Sequence, residues 1–295
     1  LIYMMSKWGY GPFAQYTDSC LGRINFRTQL AQSFTLTPFM DLYPCILGGQ
    51  GASYSSNKRI LSGEEVTISG VGGTNTNVYI MAADELESIG DLSTLTVDSA
   101  SNAGIAIASK RLKTIKVGDE VAEKVTSNLQ QLSVGQCNSL VSVDARNLKS
   151  LTGTVDLARC PRLVEALFGG TDVRSITLAN GSKITKLQLP GSLTTLELLN
   201  LTKLTDLQYS DLSKIEFFRI ENCTQVSPFE KLKEIYNTDS NSLRNIRIIG
   251  FDYTGEYADI DMLSNFAEDK DKNGEAHNYN GIDSEGVPQE NSLPV

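Results

Sequence analysis

The 295-residue chain has one histidine, one tryptophan, eight prolines and five cysteines, and each scarcity removes a class of function. Its only histidine, His277, lies in an acidic stretch. A Ser–His–Asp relay therefore has no imidazole held between a serine and an aspartate. The cysteines include no C-x-x-C pair, and their odd number argues against both a disulfide framework and a zinc site. No apolar run approaches the roughly 18 residues of a membrane-spanning helix. The opening Leu1-Ile-Tyr-Met-Met is too short for the apolar core of a signal peptide. It also starts without Met, so we expect a piece of a longer polypeptide, with any targeting segment upstream.

Positive charge is scarce too. The net charge is −9, and residues 252–295 carry eleven acids against Lys270 and Lys272, leaving the rest with equal numbers of acids and bases. An electroneutral body has no long-range field to attract phosphate or anionic lipid. We therefore expect no nucleic-acid partner and no membrane insertion.

What the sequence does have is a period. A motif L-x-x-L-x-L, with large apolar residues at the first, fourth and sixth places, begins at Leu129, Leu140, Leu151, Leu163, Val173, Ile184, Leu193, Leu204 and Ile215. Self-similarity at a fixed spacing marks a stack of structural repeats. Two alternating classes emerge. One begins at Leu129, Leu151, Val173, Leu193 and Ile215, the other at Leu140, Leu163, Ile184 and Leu204, so a full unit is about 22 residues. Places four and six point inward and places five and seven outward, as on a strand with one buried face. Such a strand cannot bury itself, but stacked on its copy it forms a parallel sheet over a shared core. Cys137, Cys160 and Cys223 share the ninth place and read as buried, reduced thiols in one row. Asn180, Asn200 and Asn222 share the eighth; their Asn-x-Ser/Thr contexts read as products of the repeat.

The flanks differ from the array. Ten of the 22 aromatics fall within residues 1–60, among them Tyr3, Trp8, Phe26, Phe34 and Phe39, which suits a cap over the open end of a stack. The cluster from Gly48 to Asn57 reads as a loop. Residues 65–68 and 78–81 carry short strand signals. Weaker copies of the repeat begin at Leu92 and Leu112. After Cys223 the second class is replaced by helical spacing in Ser227-Pro-Phe-Glu-Lys-Leu-Lys-Glu-Ile, with Ser before Pro as the start signal. The first class resumes at Leu243/Ile246/Ile248. It is therefore expected to form the continuous, concave sheet. A short terminal helix over residues 260–266 and a solvated tail from Glu268 complete the reading.

Residues 151–163 and 196–204 resemble leucine-rich repeats, L-x-x-L-x-L-x-x-N/C-x-L. Gly181 and Leu201 depart from the Asn/Cys place, and an extra residue precedes Val155, which argues against regular side-chain ladders. Phe39-Met-Asp-Leu-Tyr-Pro, Leu86-Glu-Ser-Ile-Gly-Asp, Val143-Asp-Ala-Arg-Asn-Leu and Arg247-Ile-Ile-Gly-Phe-Asp-Tyr resemble a repeat module in virion tail or fibre proteins of gut bacteriophages. Similar repeats decorate bacterial surface adhesins. The fold expected is thus an α/β, mostly β, leucine-rich-repeat solenoid with a parallel sheet. It would comprise a non-repeat N-terminal cap (1–85), the repeat array (86–251) and a helix-containing C-terminal cap with an acidic tail (252–295). The resemblance implies a non-enzymatic scaffold or contact role in a virion or at a cell surface. Its partners would be other virion or surface proteins, or a host-cell glycan or protein, and a homo-oligomer is compatible with it. No cofactor or metal is expected.

Candidate contact residues follow from the outward places of the first class: Ser133, Asp156, Thr177, Glu197, Arg219, Glu221 and Arg247. Strand spacing of about 4.8 Å lets Glu197, Arg219 and Glu221 cluster. A retaining glycosidase sets two carboxyls about 5 Å apart, but a Glu–Arg–Glu cluster on an exposed sheet more often satisfies itself as ion pairs. Asp269, Asp271, Asn273 and Gly274 match the first half of a calcium loop, yet Asn280 stands where the bidentate Glu belongs and Ala276 where an aliphatic does. That segment reads as a solubilising loop.

Overall fold

The computed structural model describes residues 23–27, 33–41, 43–46, 52–53, 61–70, 78–82, 86–97, 103–236, 242–250 and 278–279. They are mostly β. The strands in chain order are β1 (Arg23–Arg27), β2 (Phe34–Pro38), β3 (Tyr43–Ile46), β4 (Ala52–Ser53), β5 (Val66–Gly70), β6 (Val78–Ala82) and β7 (Leu86–Ser88). There follow β8 (Ala103–Ile107), β9 (Thr114–Lys116), β10 (Gln131–Val134), β11 (Ser142–Asp144), β12 (Thr152–Leu157) and β13 (Glu165–Leu167). The last are β14 (Asp172–Leu178), β15 (Lys186–Gln188), β16 (Thr195–Leu199), β17 (Asp206–Gln208), β18 (Phe217–Glu221), β19 (Asn245–Ile249) and β20 (Asn278–Tyr279). Among the described residues one α-helix, α1, spans Pro228–Tyr236.

From β11 to β18, successive strands alternate between two parallel sheets. The first sheet is ordered β12-β14-β16-β18-β19-β20 and the second β17-β15-β13-β11-β9. Each repeat unit thus gives one longer strand to the first and one three-residue strand to the second, the two classes of the sequence. The second-sheet register is continuous: Val143 pairs Ile115 and Ala166, Ala166 pairs Leu187, and Leu187 pairs Leu207. In the first sheet Leu196 pairs Phe218 and Phe218 pairs Ile246. The ladder of β12 and β14 shifts between Gly153 and Thr154, where the extra residue is Arg174 of β14: Gly153 pairs with Val173 and Thr154 with Ser175.

All nine residues that open the motif are buried. The inward fourth and sixth places join them in one core with the largest enclosed side chains, Phe168 and Phe218. Each such side chain stabilises the fold by about 1.5–3 kcal/mol. A recurring turn explains the ninth place. Its carbonyl accepts the N–H of the next motif's first residue: Leu140 to Cys137, Leu151 to Leu148, Leu163 to Cys160, Leu204 to Leu201, Ile215 to Leu212 and Val226 to Cys223. A strand plus this i→i+3 turn fills about eleven residues and points the ninth side chain inward, where Cys, Leu or a comparable apolar group fits. Ser150 and Ser192 tie neighbouring units together, their hydroxyls donating to the carbonyls of Leu129 and Val173 at 2.7 Å.

The eighth place carries an amide ladder. Asn222 Nδ2 donates to Asn200 Oδ1 at 2.8 Å, and Asn200 Nδ2 donates to Asn180 Oδ1 at 2.7 Å. A regular side-chain ladder therefore exists despite the departures at Gly181 and Leu201, because the ladder uses the eighth place and the departures affect the ninth. Asn200 and Asn222 have positive φ, at 56° and 52°, which Asn tolerates. The following unit has Gly250 (φ 79°), and Asn222 Oδ1 occupies the space a Cβ there would need.

Stacking extends N-terminal to the clear repeats. A further sheet is ordered β10-β8-β6-β1-β3, parallel except at β1–β6. One backbone bond, Thr152 N to Gln130 O at 3.0 Å, links its edge to β12. Strand β8 (AGIAI) has no Leu at any motif place, so the period does not reveal it. In the small sheet β4-β5-β2-β7, strand β2 buries Phe34 and Leu36 in alternation. Arg111 stacks 4.3 Å from the centroid of Phe39.

At the other end, α1 lies where the spacing predicts it, opened by Ser227 Oγ accepting from Glu230 N at 3.4 Å. In the chain it lies between β18 and β19 of the first sheet, where the alternation would call for a second-sheet strand. The tail read as solvated from Glu268 is corrected at one point: Asn278 and Tyr279 pair in parallel with Asn245 and Ile246. The backbone edge of β19 takes a partner there irrespective of side-chain polarity. Tyr3, Trp8, Cys20, His277, the helix expected at 260–266 and the calcium-like loop lie outside the described residues.

Two outcomes test this packing. Asn200→Ala loses both amide bonds and strains a left-handed residue, so it should lower stability by about 2 kcal/mol, with Asn200→Gly costing about half as much. Urea denaturation of the pair measures this, and equal losses would remove the ladder's conformational component. Burial pushes the Cys160 thiol up to about 12, with Cys137 adding to it. Cys160 should therefore resist iodoacetamide in the native protein at pH 8 and react fully in urea, as read by peptide mass spectrometry. Native-state labelling at the rate of an exposed thiol would contradict its placement.

Candidate contact surface

Three in-register strands build the charged part of the first-sheet face. Pairing sets Glu197 opposite Arg219 and Arg219 opposite Arg247, with Glu221 two residues along β18 from Arg219. Side chains two apart on a strand share a face, so all four meet on one surface. Arg219 Nη1 donates to Glu197 Oε2 at 3.1 Å and its Nε to Glu221 Oε1 at 2.8 Å. Arg247 Nε donates to the same Glu221 oxygen at 2.6 Å. Glu221 is thus shared by two guanidinium groups.

Burial grades along this lattice. The Glu197 side chain is 40% exposed, Arg219 32%, Glu221 15% and Arg247 7%. Pairing matters most at the buried end, where an uncompensated charge has little solvent to fall back on. Burial pushes the Glu221 carboxyl up, but the hydrogen bonds and charges of Arg219 and Arg247 more than offset it, holding the group below the ordinary glutamate value. The bond to Glu221 raises the Arg219 guanidinium against the opposing effect of burial. Arg247 Nη1 is buried without a hydrogen-bond partner.

Of the expected contact residues, the structure brings together Glu197, Arg219, Glu221 and Arg247. Asp156 and Thr177 form a second, adjacent pair across β12 and β14. Asp156 is engaged locally, its Oδ1 accepting from Ala158 N at 2.9 Å. Ser133 is exposed on β10, where it pairs with Ala106 of β8 rather than with Asp156. It belongs to the neighbouring sheet.

The second sheet carries charge as well, which the sequence reading did not single out. Lys116 Nζ lies 2.6 Å from Asp91 Oδ2 and 2.9 Å from Asp119 Oδ2. Arg146 grips Asp144 with two bonds, Nε to Oδ1 at 3.1 Å and Nη2 to Oδ2 at 2.8 Å. Lys186 Nζ reaches Glu165 Oε1 at 3.3 Å. The signal available was the third place of the second class, on the outward side of its strands, which alternates in sign between neighbouring units at Glu165, Lys186 and Asp206. Among the described residues, no group of three or more His, Cys, Asp and Glu side chains could hold a metal ion.

Comparison with protein-family models, with curated proteins and with solved structures gives no match.

Glu221 tests the lattice. Its folded-state carboxyl is depressed, so its stabilisation is present above the unfolded value and disappears as pH falls through the folded one. Glu221→Gln should cost about 3 kcal/mol at pH 7, because Arg247 keeps a buried, uncompensated charge. The gap from wild type should shrink at pH 3. Urea titrations at both pH values measure it, and a penalty independent of pH would show that charge is not what Glu221 supplies.

Proposed function

We propose that this chain is a leucine-rich-repeat solenoid serving as a non-enzymatic scaffold and contact module of a virion, in a phage tail or fibre protein. The supporting observation is the Glu197–Arg219–Glu221–Arg247 lattice on three in-register strands. Its charges are held by one another, so the face is a fixed pattern that a partner reads without first ordering it. Rigid repeat stacks offer extended surfaces of this kind, with the first sheet as the concave side. The repeat period and the phrases quoted from residues 39–44, 86–91, 143–148 and 247–253 carry the virion part of the reading.

The same lattice speaks against glycan cleavage at Glu197 and Glu221. A glycosidase needs one carboxylic acid with a raised pKa to protonate the leaving group. Glu221 is shifted the other way. Both carboxylates are also engaged by Arg219.

Electron microscopy of the parent assembly tests the proposal, with the flanking genes sequenced. The expected result is this chain within a tail or fibre, its first-sheet face against a neighbouring subunit, among genes for other virion proteins. A secretion signal with a cell-envelope anchor in the parent gene would replace it with a surface adhesin. New reducing or unsaturated ends after incubation with host capsule, lost in Glu197→Gln and Glu221→Gln, would replace it with a depolymerase.

A further inference from the structure

A groove of 560 Å³ runs along the turns that follow the second-sheet strands, a region separate from the Glu197–Arg247 lattice. Its lining reaches from Glu120, after β9, to Ser210, after β17, and so crosses five successive units. At one strand spacing of about 4.8 Å per unit, that is roughly 19 Å along the stack. A groove of this length and direction suits an extended chain, not a compact metabolite.

Its floor is backbone. Gly169 and Gly170 present no side chain, and Gly170 (φ 77°) sits over Asn147, whose Oδ1 lies 2.7 Å from where a Cβ would be. Asn147 is itself fixed, its Nδ2 donating to the carbonyls of Asp119 at 2.9 Å and Glu120 at 3.2 Å. The Gln188 side chain lies across Gly169, with its Cδ and Nε2 both 2.7 Å from the position of a Cβ there. A Cβ at Gly169 would push that amide aside.

The polar groups are neutral in sum. Arg146 is spent on Asp144 and on Glu120, at 3.5 Å, so it offers no uncompensated cation to an anionic ligand. What remains is amide and hydroxyl. The Gln188 side chain has no hydrogen-bond partner among the described residues and supplies both a donor and an acceptor. Gln208 pairs in register with Gln188. It gives its Nε2 to Asp206 at 3.0 Å, which leaves its Oε1 as an acceptor. Beside them the Tyr209 ring is pinned from α1, its hydroxyl bonded to Glu234 and Lys231 Nζ 4.9 Å from the ring centroid.

We propose that this groove binds a neutral oligosaccharide, with hydroxyls on the Gln188 and Gln208 amides and a sugar ring against Tyr209. Each sugar hydroxyl both donates and accepts, as the amides do, and the apolar face of a pyranose fits an aromatic ring. A peptide would need apolar or charged side-chain subsites. The lining offers little of either, since Leu189 is buried and Arg146 is paired. The inference stands apart from the first-sheet reading and survives if that reading fails.

Saturation-transfer NMR with cellopentaose, maltopentaose and mannopentaose, at millimolar concentration, tests it on the whole chain. At least one should receive signal at its ring protons. The double variant Gln188→Ala/Gln208→Ala should weaken that binding about tenfold, the loss of two modest hydrogen bonds. Both positions are outward-facing, so its urea midpoint should match the native protein's, and a large drop would contradict their placement. Glu197→Gln should bind as the native chain does. Silence from all three sugars, preference for an oligogalacturonate, or binding lost in Glu197→Gln but kept in the double variant would each overturn the proposal.

Discussion

Each unit contributes two strands with a single apolar face; the same strand of the next unit pairs their backbone edges, and the two sheets so built enclose one core. Almost everything else follows from that dependence. It demands a constant path length per unit, which the i→i+3 turn from the ninth-place carbonyl supplies. It demands in-register pairing, which places identical positions one strand spacing apart. Long rows of like residues then have to coexist, and the side chains reflect it: apolar rows inside, an amide row at the edge, rows of paired charge outside.

Charge on the outward rows has to be compensated, and Arg219 and Arg247, which face each other in register, share Glu221. Two carboxylates facing each other across about 4.8 Å would repel. In the first sheet Glu197, Arg219 and Glu221 avoid this by alternating across and along the strands. The second sheet does so with Glu165 and Lys186. The charged face and the polar groove are thus by-products of one stacking rule, occupied in different ways on the two sheets. At the first, salt links consume the charge. At the second, ion pairing leaves neutral amides over a backbone floor.

How much of this was legible follows the strength of the period. From Leu129 to Ile215 the motif identifies the buried residues, the two strand classes and the row that unites Glu197, Arg219 and Arg247. It also places the switch to a helix after Cys223. Legibility fails where the stacking persists without the motif. Strand β8 fills its inward places with Ala103, Ile105 and Ile107, a short apolar run that periodicity cannot assign. Strand β20 is two residues, Asn278 and Tyr279, too short for any period to mark. The groove was not legible because its chemistry depends on turns and on absent side chains, Gly169 and Gly170, which a hydrophobic period does not weigh. Ser133 was placed in the right row but the wrong sheet, since the break between β10 and β12 leaves the motif intact.

The asparagine row has a direction. Asn222 donates to Asn200 and Asn200 to Asn180, so every amide dipole points the same way and each bond polarises the next. Turning one amide over would set oxygen against oxygen on one side and two NH₂ groups against each other on the other. The three therefore reverse together or not at all. Gly250 closes that end of the row: with no side chain of its own it leaves room for the amide of Asn222, which any Cβ there would displace.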